Sequence, residues 1–202
     1  MKTIILMLDA LGDAPAEAVN AAERQGYDFR RFIQTPRPEK QTEHFERIRD
    51  ITISRNKSRQ WILEEDFDKI ALVDSDVVMP EGAVDTMLSC GTDLVGGWVP
   101  VRGTNGTRWI AGKIKDNKFA NFEEPNKESC ETDMIPLACC VMPRKIFETI
   151  EVRAPAPRDR VTCAKTLQPM IPSEPFLYSF DLKTKFDVKC LMHPDVICQH
   201  LT

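Results

Sequence analysis

The sequence predicts an α/β domain built on a mostly parallel, twisted sheet with helices on both faces. Apolar runs alternate with amphipathic stretches in β-α-β-α-β order through the first hundred residues, which is the order of crossover-connected parallel strands. The run Ile70-Ala71-Leu72-Val73 is apolar at every position, as a strand buried on both faces requires. Asp74-Ser75-Asp76 closes that run and brings two carboxylates, one residue apart, to the carboxyl edge of the sheet. A chain of 202 residues, 42% hydrophobic and 29% charged, is long enough to bury such a sheet in one domain.

The elements follow in order. Lys2 to Leu8 reads as a buried strand; Asp13 is placed to cap a helix through Ala14 to Val19, closed by Gly26. Tyr27 to Gln34 reads as a second strand, ending at Thr35-Pro36-Arg37-Pro38. Ser54 is the expected cap of a helix from Arg55 to about Glu65, which leads into the strand ending at Asp74. Pro80 opens a helix with Ala83, Val84, Met87 and Leu88 on one side, and Asp93 to Val99 returns to strand.

Beyond residue 100 the pattern changes. Trp109 to Ile114 and Lys118 to Phe122 flank Asp116-Asn117 as a hairpin. Ile135 to Met142 is a further apolar strand, followed by a short helix from Pro143 to Phe147. Residues 154–172 hold four prolines and no periodicity, as a long loop or lid would, with Arg158 and Arg160 among its cations. A helix from Glu174 to Lys185, a strand from Val188 to Met192 and the tail Val196 to His200 complete the chain. No repeat or linker interrupts it, so residues 1–202 read as a single domain.

Composition removes several function classes. A net charge of -4 argues against a general nucleic-acid binder. The apolar run Thr3 to Leu8 is stopped by Asp9 before it reaches the length of a signal core, and no stretch approaches the roughly 18 apolar residues of a membrane span. Seven cysteines, an odd number without a C-x-x-C pair, read as reduced and mostly buried thiols of a cytoplasmic protein rather than a zinc site.

Asp74 and Asp76 are the expected centre of function, since paired carboxylates at a strand end suit a divalent cation bridging to a diphosphate. The plain alternative is a polar strand exit. Asp9, at the end of the first strand, is placed either to accept a ribose hydroxyl or to cap the following turn. Arg55, Asn56 and Arg59 cluster at helical spacing and, if Ser54 is the cap, sit where free backbone N-H groups favour a nucleotide. The alternative is a solvated basic turn.

Several segments in this order resemble the GT-A glycosyltransferases, family 2-like members above all. Ser54-Arg55-Asn56-Lys57 is similar to the arginine-asparagine helix that precedes the D-x-D strand in that family. Leu72 to Pro80 looks like its metal strand, Asp93 to Gly97 like the next strand, Leu137 to Phe147 like the apolar strand leading into an arginine-bearing helix, and His193 to His200 like the terminal strand with its histidine. The resemblance implies a nucleotide-sugar half over residues 1–100 and an acceptor half over 101–202. It also implies transfer of a sugar from a UDP- or GDP-sugar to an acceptor hydroxyl, assisted by Mn2+ or Mg2+. Asp76 is then the main metal ligand, Asp74 serves the ribose or the metal, and His200 completes the coordination. Where the family often has an aspartate in its second strand, this chain has Gln34-Thr35-Pro36, which leaves the base open. Inverting members usually carry an acidic pair at the late helix start, and here Glu174 stands alone. The catalytic base is Glu174 or Asp133, unless the mechanism is retaining or the protein is inactive.

Two other classes fit parts of the sequence. Val73 to Val78 also fits the nucleophile strand of a haloacid-dehalogenase-like phosphatase, but no Asp-Asp or G-D-x-x-x-D follows downstream to hold magnesium. A catalytically silent nucleotide- or sugar-binding module would explain the missing second acid beside Glu174.

Overall fold

The computed structural model describes residues 1–34, 44–103, 106–116, 118–156, 159–170 and 172–201. In chain order the first half holds β1 (Thr3–Leu8), α1 (Ala16–Glu23), β2 (Asp28–Phe32), α2 (His44–Ile62), β3 (Lys69–Asp74), β4 (Val77–Val78), α3 (Ala83–Ser89) and β5 (Leu94–Trp98). Then come β6 (Pro100–Gly103), β7 (Gly106–Trp109), β8 (Gly112–Lys115), β9 (Lys118–Asn121), β10 (Cys130–Glu131), β11 (Cys139–Pro143) and α4 (Arg144–Phe147). The chain ends with β12 (Val161–Cys163), β13 (Pro169–Met170), α5 (Glu174–Phe186), β14 (Cys190–Ile197) and β15 (Gln199–His200).

The central sheet has seven strands in the order β10-β14-β5-β11-β3-β1-β2. Five of them run in one direction; β11, inserted between β5 and β3, and β10 at the edge run against it. Strand alternation splits the core in two. Ile4, Leu6 and Ile70 face α2, α4 and α5 through Ile62, Phe147, Tyr178 and Leu182. Ile5, Met7, Ala71 and Val73 face α1 and α3 through Ala18, Val84 and Met87. Covering both faces is what makes the apolar run of β3 continuous.

Gly97 of β5 is required where the sheet is tightest. A Cβ there would lie 2.5 Å from Val196 and 3.0 Å from Cys139, so any larger residue would push β14 or β11 aside.

Four expectations are corrected. Pro15, not Asp13, caps α1, because the Asp13 backbone is instead held by Asp9. The second helix begins at His44 rather than at Arg55, so Ser54 lies within it. Nothing between His44 and Ser54 breaks a helix, and Thr52 and Ser54 bond back to the carbonyls of Ile48 and Asp50. The strand expected from Ile135 starts at Cys139, after a turn at Pro136, which has no N-H to give a ladder. Trp109 belongs to the β6-β7 ribbon, not to the β8-β9 hairpin, whose turn is made by Asp116 at φ +50°.

The segment expected as a loop contains β12 and β13, which extend the β8-β9 hairpin to four strands. Arg153 fixes its start, reaching Asp181 of α5 at 2.8 Å and Asp159 at 2.7 Å. Arg158, like Thr35 to Pro38 and Asn117, lies outside the described residues, and Arg160 is exposed. All seven cysteines are free; Cys90, Cys130 and Cys163 are half-buried and the other four buried. Among the described residues no helix is long and apolar enough to cross a membrane.

Candidate active site

The turn after β3 is held on three sides, and this puts the two aspartates at the sheet edge. The Asp74 N-H donates to Ala138 O and the Ser75 N-H to Leu8 O, each at 3.1 Å, and the Leu201 N-H donates to Asp76 O at 2.8 Å. The last contact belongs to the tail, where β15 pairs antiparallel with β4 and sets His200 opposite Val77. His200 Nε2 thereby lies 3.2 Å from Asp76 Oδ2.

Burial pushes the Asp76 carboxyl up, but the hydrogen bond and charge of His200 outweigh it and hold the group below its ordinary 3.8. The same hydrogen bond lifts His200 above 6.5, against burial. Arg47, in the first turn of α2, adds positive charge beside the pair and lowers both. Arg47 escaped the sequence reading because the helix was started too late.

In the metal-free protein the pair stabilises the fold between its two shifted values. The Asp76 part is lost as pH falls through its lowered value, and the His200 part, full below 6.5, is lost as pH rises through its raised value. His200→Gln should therefore flatten the decline in melting temperature as pH rises from 6.5 through the raised His200 value, measured in EDTA. An unchanged slope would place the pH dependence elsewhere.

Asp74 turns the other way, toward α2. Its Oδ2 accepts from Arg55 Nη2 at 2.9 Å, and its buried Oδ1 has no hydrogen-bond partner among the described residues. Arg55, deep within α2 and 8% exposed, also points Nε at Glu174 Oε1, 3.6 Å away. Glu174 is the first residue of α5, followed by Pro175, and is 6% exposed. Burial raises its carboxyl above 4.5; Arg55 and its own helix-start N-H pull the other way, and Asp74 adds to the rise. Asp74, Arg55 and Glu174 thus form one buried chain at the sheet edge.

The other expected residues do not join it. Asn56 donates through Nδ2 to Val152 O at 2.7 Å and accepts from Val152 N-H at 3.0 Å. Arg59 donates to Phe147 O at 3.0 Å and Glu148 O at 2.7 Å, capping α4. Both side chains fasten α2 to the segment after β11, and none of the three residues stands at a helix start, since α2 begins at His44. Asn56→Ala should lower stability by about 2 kcal/mol, since it leaves two part-buried backbone groups unpaired. Nucleotide affinity should stay unchanged by calorimetry.

Asp9, fully buried, accepts from the N-H groups of Gly12, Asp13 and Ala14 and is paired with Arg31. Its acceptor sites are filled, so of its two readings the turn cap is the one these contacts carry. Asp133 is engaged elsewhere: it is ion-paired to Lys183 and accepts from Ile114 N-H at 2.7 Å. Lys183 lies about two and a half turns along α5 from Glu174, roughly 14 Å away.

Asp76 offers a carboxylate, the hard oxygen donor that Mn2+ and Mg2+ take, and His200 adds an imidazole, a softer nitrogen donor. The buried Nδ1 of His200 and Oδ1 of Asp74 have no hydrogen-bond partner among the described residues. No group of three His, Cys, Asp or Glu among the described residues is gathered closely enough to hold an ion by itself.

No protein-family model and no curated protein sequence matches the chain. Solved structures do. A197 from STIV is similar over 100% of this chain and 86% of its own, with 15% identity and a TM-score of 0.61. The structure of GalNAc-T7 with UDP, GalNAc and Mn2+ is similar over 100% of this chain, with 9% identity and a TM-score of 0.53; the chain spans 44% of that protein. These likenesses show the fold, which is GT-A-like.

Proposed function

We propose that this protein transfers a sugar from a nucleotide-diphospho-sugar to an acceptor hydroxyl. The observation that carries the reading is the tail strand β15, which returns His200 to Asp76 beside the buried chain of Asp74, Arg55 and Glu174. Carboxylate-imidazole and carboxylate-arginine-carboxylate groups side by side match a reaction that sheds a diphosphate and takes a proton. The GT-A-like fold supports it, as does the UDP, GalNAc and Mn2+ bound by GalNAc-T7.

On this reading residues 1–100 form the donor half and 101–202 the acceptor half, with His200 returning to the donor side. Asp76 and His200 would hold Mn2+ or Mg2+, with Asp74 beside them at the ribose or the ion. A bound ion supplies Lewis acidity to the departing diphosphate. Because the chain offers so few ligands, the remaining positions fall to donor phosphate oxygens and water. Glu174, whose carboxylate form Arg55 favours against its burial, accepts the proton of the acceptor hydroxyl.

A thermal-shift panel of UDP- and GDP-sugars, each with and without manganese, tests the proposal. One nucleotide should raise the melting temperature with manganese by more than nucleotide and manganese do separately. No shift with any of them would overturn the reading. Donor binding without transfer to any acceptor would leave a nucleotide- or sugar-binding module.

A further inference from the structure

The contact between Arg55 and Glu174 has no counterpart in a simple nucleotide site. Arg55 comes from the middle of α2, Asp74 from the end of β3 and Glu174 from the start of α5, and one guanidinium touches both acids. The charged groups facing Glu174 are Arg55 and Asp74; those facing Arg55 are Asp74 and Glu174, with the Cys140 thiol nearby. Arg55 is itself fixed: the neighbouring Asn56 clamps Val152, and Ser58 Oγ donates to Arg55 O at 2.8 Å. Arg55 Nε has no hydrogen-bond partner among the described residues, and Glu174 Oε1 stands in front of it.

We infer that Arg55 is the positioning residue of the acceptor base, holding Glu174 at the edge where Asp74 ends and so joining the donor and acceptor halves. The inference rests on the glycosyl-transfer reading and goes beyond it: Arg55 acts through Glu174, not through the nucleotide. The planar fork is what lets one side chain serve both acids. Nη2 and Nε point at different carboxylates, whereas a lysine ammonium concentrates its charge at one point. Arg55→Lys keeps the charge for Asp74 and loses the span to Glu174.

The test measures binding of UDP with manganese by calorimetry and release of UDP from UDP-glucose, with GDP and GDP-mannose as the second pair of probes. Arg55→Lys should keep nucleotide affinity within about twofold and lower turnover at least about tenfold. In a Glu174→Gln background the same change should alter neither quantity, because the group it positions is already gone. Equal falls in affinity and turnover, or a further fall on top of Glu174→Gln, would overturn the inference and make Arg55 a donor ligand. Should Arg55→Lys fail to fold, Arg55→Lys/Glu174→Gln removes one buried charge, and its comparison with Glu174→Gln alone decides the same question. If the unaltered protein binds neither nucleotide with manganese, the glycosyl-transfer reading falls and the inference with it. A fault in the inference alone leaves that binding intact.

Discussion

Asp76→Asn is expected to abolish manganese-dependent nucleotide binding and to leave the fold intact. The side chain is 44% exposed and its carboxylate is paired with His200 at the surface, so the amide costs the core nothing. At the proposed ion, however, it removes the one anionic oxygen that the tail and the β3 turn bring together. Altering the groups that merely support metal ligands costs 10–100-fold, so loss of a ligand should weaken the manganese-dependent part by about a hundredfold or more. Calorimetry with UDP or GDP, with and without manganese, reads this directly. Binding that keeps its manganese dependence in Asp76→Asn would remove Asp76 from the metal. His200→Ala should weaken the same quantity less, since the imidazole contributes no charge when it ligates.

Glu174→Gln should retain donor affinity and lose transfer by roughly a hundredfold or more, the usual cost of removing a general base. The amide keeps the size of the side chain and can still present an oxygen to Arg55, but it cannot take a proton. Because burial raises the Glu174 carboxyl, the base is ionised only above a pH higher than its ordinary 4.5. In the unaltered protein kcat/KM should therefore fall on the acid side through a value above 4.5, and that limb should vanish in Glu174→Gln. Transfer at the parental rate would place the base elsewhere or make the reaction retaining.

What the sequence made legible was whatever local pattern and chain order decide. The apolar runs of β1, β3 and β5 needed only hydrophobic continuity to be read. Asp74 and Asp76 needed only a strand end, and His200 needed the resemblance of its tail. The roles of Asn56 and Arg59 were hidden because their partners, Val152, Phe147 and Glu148, lie 88–96 residues away. A polar side chain satisfied by a distant backbone carbonyl has the same local sequence as one awaiting a ligand. Asp133 also has a distant partner, the Lys183 side chain 50 residues on. Arg55 stands in the middle of a helix, not at its start, and its two carboxylate partners come from separate elements that local sequence does not join. The proline-rich stretch misled because β12 and β13 are short and form by joining β9, a partner that local propensity does not show.

On the glycosyl-transfer reading, the Asp76–His200 pair is where a divalent cation meets the donor diphosphate. Crystals grown with manganese and UDP, or GDP if the thermal-shift panel favours it, would locate the metal by its anomalous scattering. A single strong manganese peak within ligand distance of both Asp76 and His200, with the diphosphate against it, is the predicted result. Nucleotide bound with no manganese at that pair, or with manganese held by other residues, would contradict the claim.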